Sequence, residues 1–199
     1  MPKIISEYER KRTKEAIIRH TKQLIIEKKG IRDITVDDII RSVGLGKSSF
    51  YSYFKSKEEC IYQVLENALA DAIRQFECIK SEQLSTKDKI IKFVREVYLA
   101  PDRVDYYFNT SDVEALFRKL PPEYSAKEQE IIGSGLISEI MELGNLSRVQ
   151  AETFYTLLEC VEFVSTHKSI SEQAREKSLN ILILSLADYI DQCGNEASE

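Results

Sequence analysis

Tryptophan is absent from the 199 residues, histidine and methionine occur only twice each, and proline only four times. The histidines, His20 and His167, and the cysteines, Cys60, Cys78, Cys160 and Cys193, stand far apart with no Cys-x-x-Cys pair. That spacing suits no zinc site, and neither metal nor cofactor is expected. Cys60 and Cys78 fall on one predicted helix about 27 Å apart at 1.5 Å per residue, too far to bridge. All four cysteines are expected to be reduced and packed as small apolar groups. No Gly-x-Ser-x-Gly elbow, phosphate loop or His-Glu-x-x-His run occurs, and Gly133-Ser134-Gly135 has no matching strand or partner histidine, so no enzyme is expected. The first ten residues hold no apolar secretory core. The longest apolar region, Leu179 to Ile190, is broken by Asn180, Ser185 and Asp188. A cytoplasmic protein without a membrane span is therefore expected.

What the chain has is apolar residues in helical spacing, 43% of the total, and 31% charged residues. That is enough to bury a core. The charges are divided unevenly. Residues 1–57 carry 14 Lys or Arg against 7 Asp or Glu, whereas residues 58–199 carry 14 against 26. A basic module suited to a polyanion is thus joined to an acidic one, and the expected domains are 1–57 and 58–199.

Asn-Gly and Asp-Gly hairpin signals are missing, and the 3.6-residue spacing predicts an all-α protein of about nine helices. The first begins at Ser6, with Glu9 completing a capping box, or at Thr13, and ends at Gly30. A second, short helix starts at Thr35, boxed with Asp38, turns Val36, Ile39, Ile40 and Val43 inward, and stops at Gly44. Leu45 plugs the turn, Gly46 opens a third helix through Phe54, and Ser56 with Glu59 launches a fourth reaching about Lys80. Two short helices about a Gly-containing turn form a helix-turn-helix reader. On the third helix Phe50, Tyr53 and Phe54 fall at i, i+3 and i+4 and face the core, leaving Lys47, Ser48, Ser49, Tyr51 and Ser52 outward. Lysine suits guanine acceptors or phosphate, serines allow close backbone approach, and a tyrosine hydroxyl can donate to phosphate.

The run from Thr35 through Glu59, with Ile18, Ile25, Ile26 and Gly30 before it, resembles the DNA-binding signature of the tetracycline-repressor (TetR) family. The resemblance covers about residues 13–62; beyond them only the layout is similar. It implies a homodimeric, ligand-responsive transcription factor, usually a repressor. Thr35, Tyr51, Tyr53 and Lys57 would then lie near phosphates and positions 47–52 near bases. Gly46 replaces the family's usual Ser or Thr, Ser52 replaces a larger residue, and Ile40 and Val43 replace alanines.

Further helices are predicted over 86–99, 101–109, 111–119, 121–143, 147–167 and 171–192, with Ser147–Gln150 and Ser169–Glu172 as capping boxes. The last two are apolar on more than one face, so Leu157, Val161, Val164, Leu179, Leu182, Ile183, Leu186 and Ile190 are expected at a two-fold dimer interface. Tyr98, Tyr106, Tyr107, Phe108 and Phe117 lie mid-chain, where relatives line their cavity, and Phe154, Glu159 and Phe163 are placed with them. They are either an effector pocket for a hydrophobic or aromatic small molecule or ordinary core. Expected partners are thus a double-stranded DNA operator, a second copy and a small-molecule effector. An activator or ligand-independent regulator of the same fold, and a helical interaction module without specific DNA binding, stay open.

Overall fold

The structure, a computed structural model, describes residues 6–104, 107, 110–124, 136–167 and 169–196. Among them are nine α-helices and no strand, so the fold is all-α. The described residues of Met1–Leu69 and Val104–Ser125 form one compact unit, and those of Ala70–Arg103 and Ala126–Glu199 a second. These units do not divide where the charge does, because a segment of the acidic part packs into the first core.

In the first unit α1 (Glu7–Lys28) starts at the Ser6 box. The Ser6 hydroxyl accepts the Glu9 N–H at 3.2 Å and Glu9 accepts the Ser6 N–H at 3.0 Å. Thr13 is inside the helix, donating to the Glu9 carbonyl. Ile17 and Ile25 are buried on one stripe. α2 (Val36–Val43) is closed by Gly44 at φ 67°, a left-handed conformation that costs glycine little and a β-carbon more. α3 is only Lys47–Tyr51, shorter than the predicted run to Phe54, because bonds from the Ser52 and Tyr53 N–H groups to the Ser49 and Phe50 carbonyls tighten its end. α4 (Lys57–Lys80) places Ile61 and Val64 in this core and Phe76 and Ile79 in the core of the second unit. α6 (Thr110–Phe117) adds Leu116, and Val104 and Leu120 flank it.

In the second unit α5 (Thr86–Lys92) passes directly into a π-helical turn, Phe93–Tyr98, where an α-helix to 99 was predicted. The wider turn buries Phe93, Val94, Val97 and Tyr98 together, and the Leu99 N–H closes it on the Val94 carbonyl at 2.9 Å. Residues 101–104 turn instead of continuing the predicted 101–109 helix, and Pro101 has no N–H to contribute. Only parts of the predicted 121–143 helix are described, namely 122–124 and α7 (Leu136–Gly144). α8 (Arg148–Thr166) opens on the expected Ser147–Gln150 box. α9 (Glu172–Glu196) runs past the predicted end, and at its start the Ala174 N–H donates to the Ser171 hydroxyl at 3.4 Å, where a Ser169 cap was expected. α7 and α9 approach so closely that a β-carbon on Gly144 would stand 2.9 Å from Ile190 Cγ2.

All four cysteines are free. Cys60 and Cys193 are buried as expected, but Cys78 and Cys160 are exposed, so the packing reading fails for those two. Burial pushes the Cys60 thiol up to about 11, which leaves it protonated and unreactive at neutral pH. Among the described residues no helix is long and apolar enough to cross a membrane.

Candidate nucleic-acid interface

The candidate reading surface is built on one buried ring. Phe50 is 0% exposed, packs on Phe54 with ring centres 5.7 Å apart, and so fixes the rotation of α3. Lys47, Ser48, Ser49, Tyr51 and Ser52 are consequently exposed, as their spacing required, while Tyr53 is half-buried. Gly46 provides no side-chain cap to α3. Lys47 pairs with Asp37 at 3.1 Å; both side chains are exposed, so the pair is worth at most about 1 kcal/mol and leaves the ammonium available to a stronger anion.

Thr35 is exposed, but its hydroxyl is spent locally: it accepts the Asp38 N–H at 3.1 Å and donates to Asp38 Oδ2 at 2.8 Å. Lys28 donates to the same carboxylate at 2.8 Å. The hydrogen bonds from Lys28 and Thr35 hold Asp38 well below the usual carboxylate range. Lys57 is half-buried and donates to the Ile34 carbonyl at 2.6 Å. Its side chain lines a groove of about 260 Å³ with Arg32, Glu58, Asp112 and Lys119 over Ile31 and Ile61.

Sequence reasoning missed the contacts that support this surface. Arg10 Nη2 donates to the Ser52 carbonyl at 2.8 Å, its guanidinium lies 5.5 Å from the centre of the Tyr53 ring, and Lys14 Nζ lies 5.5 Å from that of Phe54. Arg32 reaches from the α1–α2 turn to Asp112 and Ser111 of α6. Lys119 donates to Glu58 at 3.2 Å. Tyr124 donates to Glu59 at 3.0 Å and stacks edge-on against Tyr62, 4.8 Å away; burial and that carboxylate push its hydroxyl up to about 12. Arginine and lysine at i and i+4 on α1 were visible in the sequence, but their partners, some 40 positions on, were not.

The residues expected around an effector are divided between the units. Tyr107 and Phe117 are half-buried against the first core, Phe117 packing edge-on to Tyr62. Tyr98 and Phe154 are buried in the second core, whereas Glu159 and Phe163 face outward, and Tyr106 and Phe108 lie outside the described residues. Tyr98 donates to Glu162 at 2.8 Å beneath the Arg103 guanidinium, 4.2 Å from its ring centre. Burial and the neighbouring Glu162 charge raise its pKa far above that of an exposed phenol.

The expected interface residues also separate. Val161, Ile183, Leu186 and Ile190 are buried in the chain's own second core, at 3% exposure or less. Val164, Leu179 and Leu182 are half-buried, and Leu157 is exposed. Periodicity counted apolar positions on α8 and α9 without telling which face the protomer itself covers. Ile181 and Leu184, which the sequence reading did not assign to an interface, are exposed beside them on α9.

Residues 17–64 match the family model described as bacterial regulatory proteins, tetR family. Over 60 residues, 30% of each chain, the protein is 42% identical to an uncharacterized HTH-type transcriptional regulator in the lacX 3' region of Lactococcus lactis subsp. lactis. It is 26% identical over 113 residues to the HTH-type transcriptional regulator YfiR of Bacillus subtilis, covering 53% of this chain and 54% of that one. With the HTH-type transcriptional regulator EthR of Mycolicibacterium smegmatis it shares 33% over 64 residues, 32% of this chain and 30% of that one. The matches thus span about half or less of these relatives. The chain carries, at residues 17–64, the helix-turn-helix DNA-binding domain of TetR-family transcriptional regulators.

Proposed function

We propose that the protein is a cytoplasmic repressor that binds a pseudo-palindromic operator as a homodimer and is released by a small hydrophobic or aromatic effector. The observation that carries the reading is the outward face of α3. Lysine, serines and tyrosine stand exposed on a helix whose rotation is fixed by the fully buried Phe50. Lys47 and the serines face base edges, while Tyr51, Tyr53, Thr35 and Lys57 serve phosphates. Lys57 reaches a phosphate by leaving the Ile34 carbonyl, and the N–H groups opening α2 serve where the Thr35 hydroxyl is occupied.

Dimerisation uses the outward apolar side chains of α8 and α9, Leu157, Ile181 and Leu184 among them, with half-buried Val164, Leu179 and Leu182 at its margin. Two reading helices then stand about one DNA turn or somewhat more apart. Effector control requires a molecule that binds one state better than the other. α4, unbroken from Lys57 to Lys80, supplies side chains to both cores and is the element through which such a preference reaches α3. Of the expected effector residues in the second unit, Tyr98 combines an aromatic face with polar partners, Glu162 and Arg103.

The test is transcription in vitro from a promoter overlapping a duplex that the protein selects from random DNA. A repressor lowers transcript yield, and an activator raises it. A helical interaction module leaves it unchanged, which would refute the reading.

A further inference from the structure

We propose that Arg10 is a positioning residue for the reading helix, holding the carboxyl end of α3 through the Ser52 carbonyl and the Tyr53 ring. The inference rests on the reading of α3 as the DNA-contacting helix.

α3 has little to hold it: five residues, no side-chain cap at Gly46, and one buried side chain, Phe50. Phe50 sets its rotation but not the direction in which its last turn points. That turn ends on the Ser52 carbonyl, and Arg10 Nη2 donates to this oxygen at 2.8 Å from 42 positions away. The same guanidinium lies over the Tyr53 ring, and one turn further along α1 the Lys14 ammonium lies over the Phe54 ring. Both cations thus meet the stretch that follows α3.

Arginine suits this post because its planar group donates in its plane and stacks through its face at once, which a lysine ammonium cannot do. Its charge also complements the partial negative charge at a helix carboxyl end. The mount itself is firm, since Arg10 sits one turn into α1, its N–H bonded to the Ser6 carbonyl of the capping box. A displacement of about 1 Å at the end of so short a helix takes Tyr51 and Ser52 out of hydrogen-bonding range of a fixed base or phosphate.

The experiment compares the full-length protein with Arg10→Ala and Arg10→Lys. The DNA probes are the duplex enriched from a random pool and its scrambled counterpart, titrated over a range of salt. A second measurement, amide hydrogen exchange at Ser52, Tyr53 and Phe54, is made without DNA. Positioning predicts that both variants bind the enriched duplex about tenfold more weakly, with much less change on scrambled DNA and an unchanged salt slope. Exchange at the three amides rises about tenfold in both.

A phosphate-contacting Arg10 would give a different pattern. Arg10→Lys would bind like wild type, and Arg10→Ala would lose equally on both duplexes with a salt slope smaller by about one. That result, or unchanged exchange in both variants, overturns the proposal. Where Arg10→Ala melts early, Arg10→Lys carries the comparison. Should the wild type discriminate between no duplexes, the DNA reading falls, while the exchange data still decide whether Arg10 holds α3.

Discussion

Asp112, buried on α6, faces the guanidinium of Arg32, whose side chain is largely in solvent. The pair ties a segment from the acidic part of the chain to the α1–α2 turn of the DNA-binding unit. Removing the cation takes a charged partner from the buried carboxylate and the Ser111 contact with it, whereas neutralising the carboxylate leaves an arginine that is already largely in water. Arg32→Ala is therefore expected to cost about 1–3 kcal/mol and Asp112→Asn less, as measured by urea unfolding of the full chain. Equal costs would contradict the asymmetry.

Asp38 links α1 to α2 in the same unit. Its carboxyl pKa is depressed in the folded protein, so the stability it provides is complete above the ordinary carboxylate value near 4 and is lost as pH falls through the lower folded value. Wild-type melting temperature should drop steeply below about pH 4, and Asp38→Asn should flatten part of that slope. A variant with the wild-type acid profile would show that the Lys28–Asp38–Thr35 cluster contributes nothing.

Phe50 is where stability and function meet. Phe50→Ala should cost about 3–5 kcal/mol, as for other fully buried aromatics, and should abolish sequence-specific binding. Tyr51→Phe and Lys47→Ala, both exposed, should leave melting temperature nearly unchanged. Tyr51→Phe should weaken all duplexes alike, whereas Lys47→Ala should also change which sequence is preferred.

The dimer proposal separates two residues adjacent in the chain. Ile183 is buried and Leu184 exposed on α9. Leu184→Asp should yield a folded monomer by sedimentation, while Ile183→Asp should destabilise the protomer itself. A Leu184→Asp dimer would move the interface elsewhere.

The sequence made the DNA-binding unit unusually legible because its signals are local. The Ser6 and Thr35 boxes, the αL Gly44 and the i, i+3, i+4 ring pattern each act within a few residues, and the described structure contains all of them. What pattern reading lost depends on the fold. Periodicity does not say that Val161 and Ile183 are buried in the chain's own core, and the π-turn at Phe93–Tyr98 has no periodicity distinct from a helix. Arg10, Arg32 and Lys14 find partners through tertiary structure alone. Phe117, expected at an effector site, packs edge-on against Tyr62, a contact that spacing alone does not reveal.

The most direct test of the account is selection of duplexes from a random DNA pool by the purified protein, followed by titration of the winner against scrambled DNA at physiological salt. The account predicts a palindromic winner bound at least roughly a thousandfold more tightly than scrambled DNA. Equal binding of both, with no enriched sequence, would contradict it.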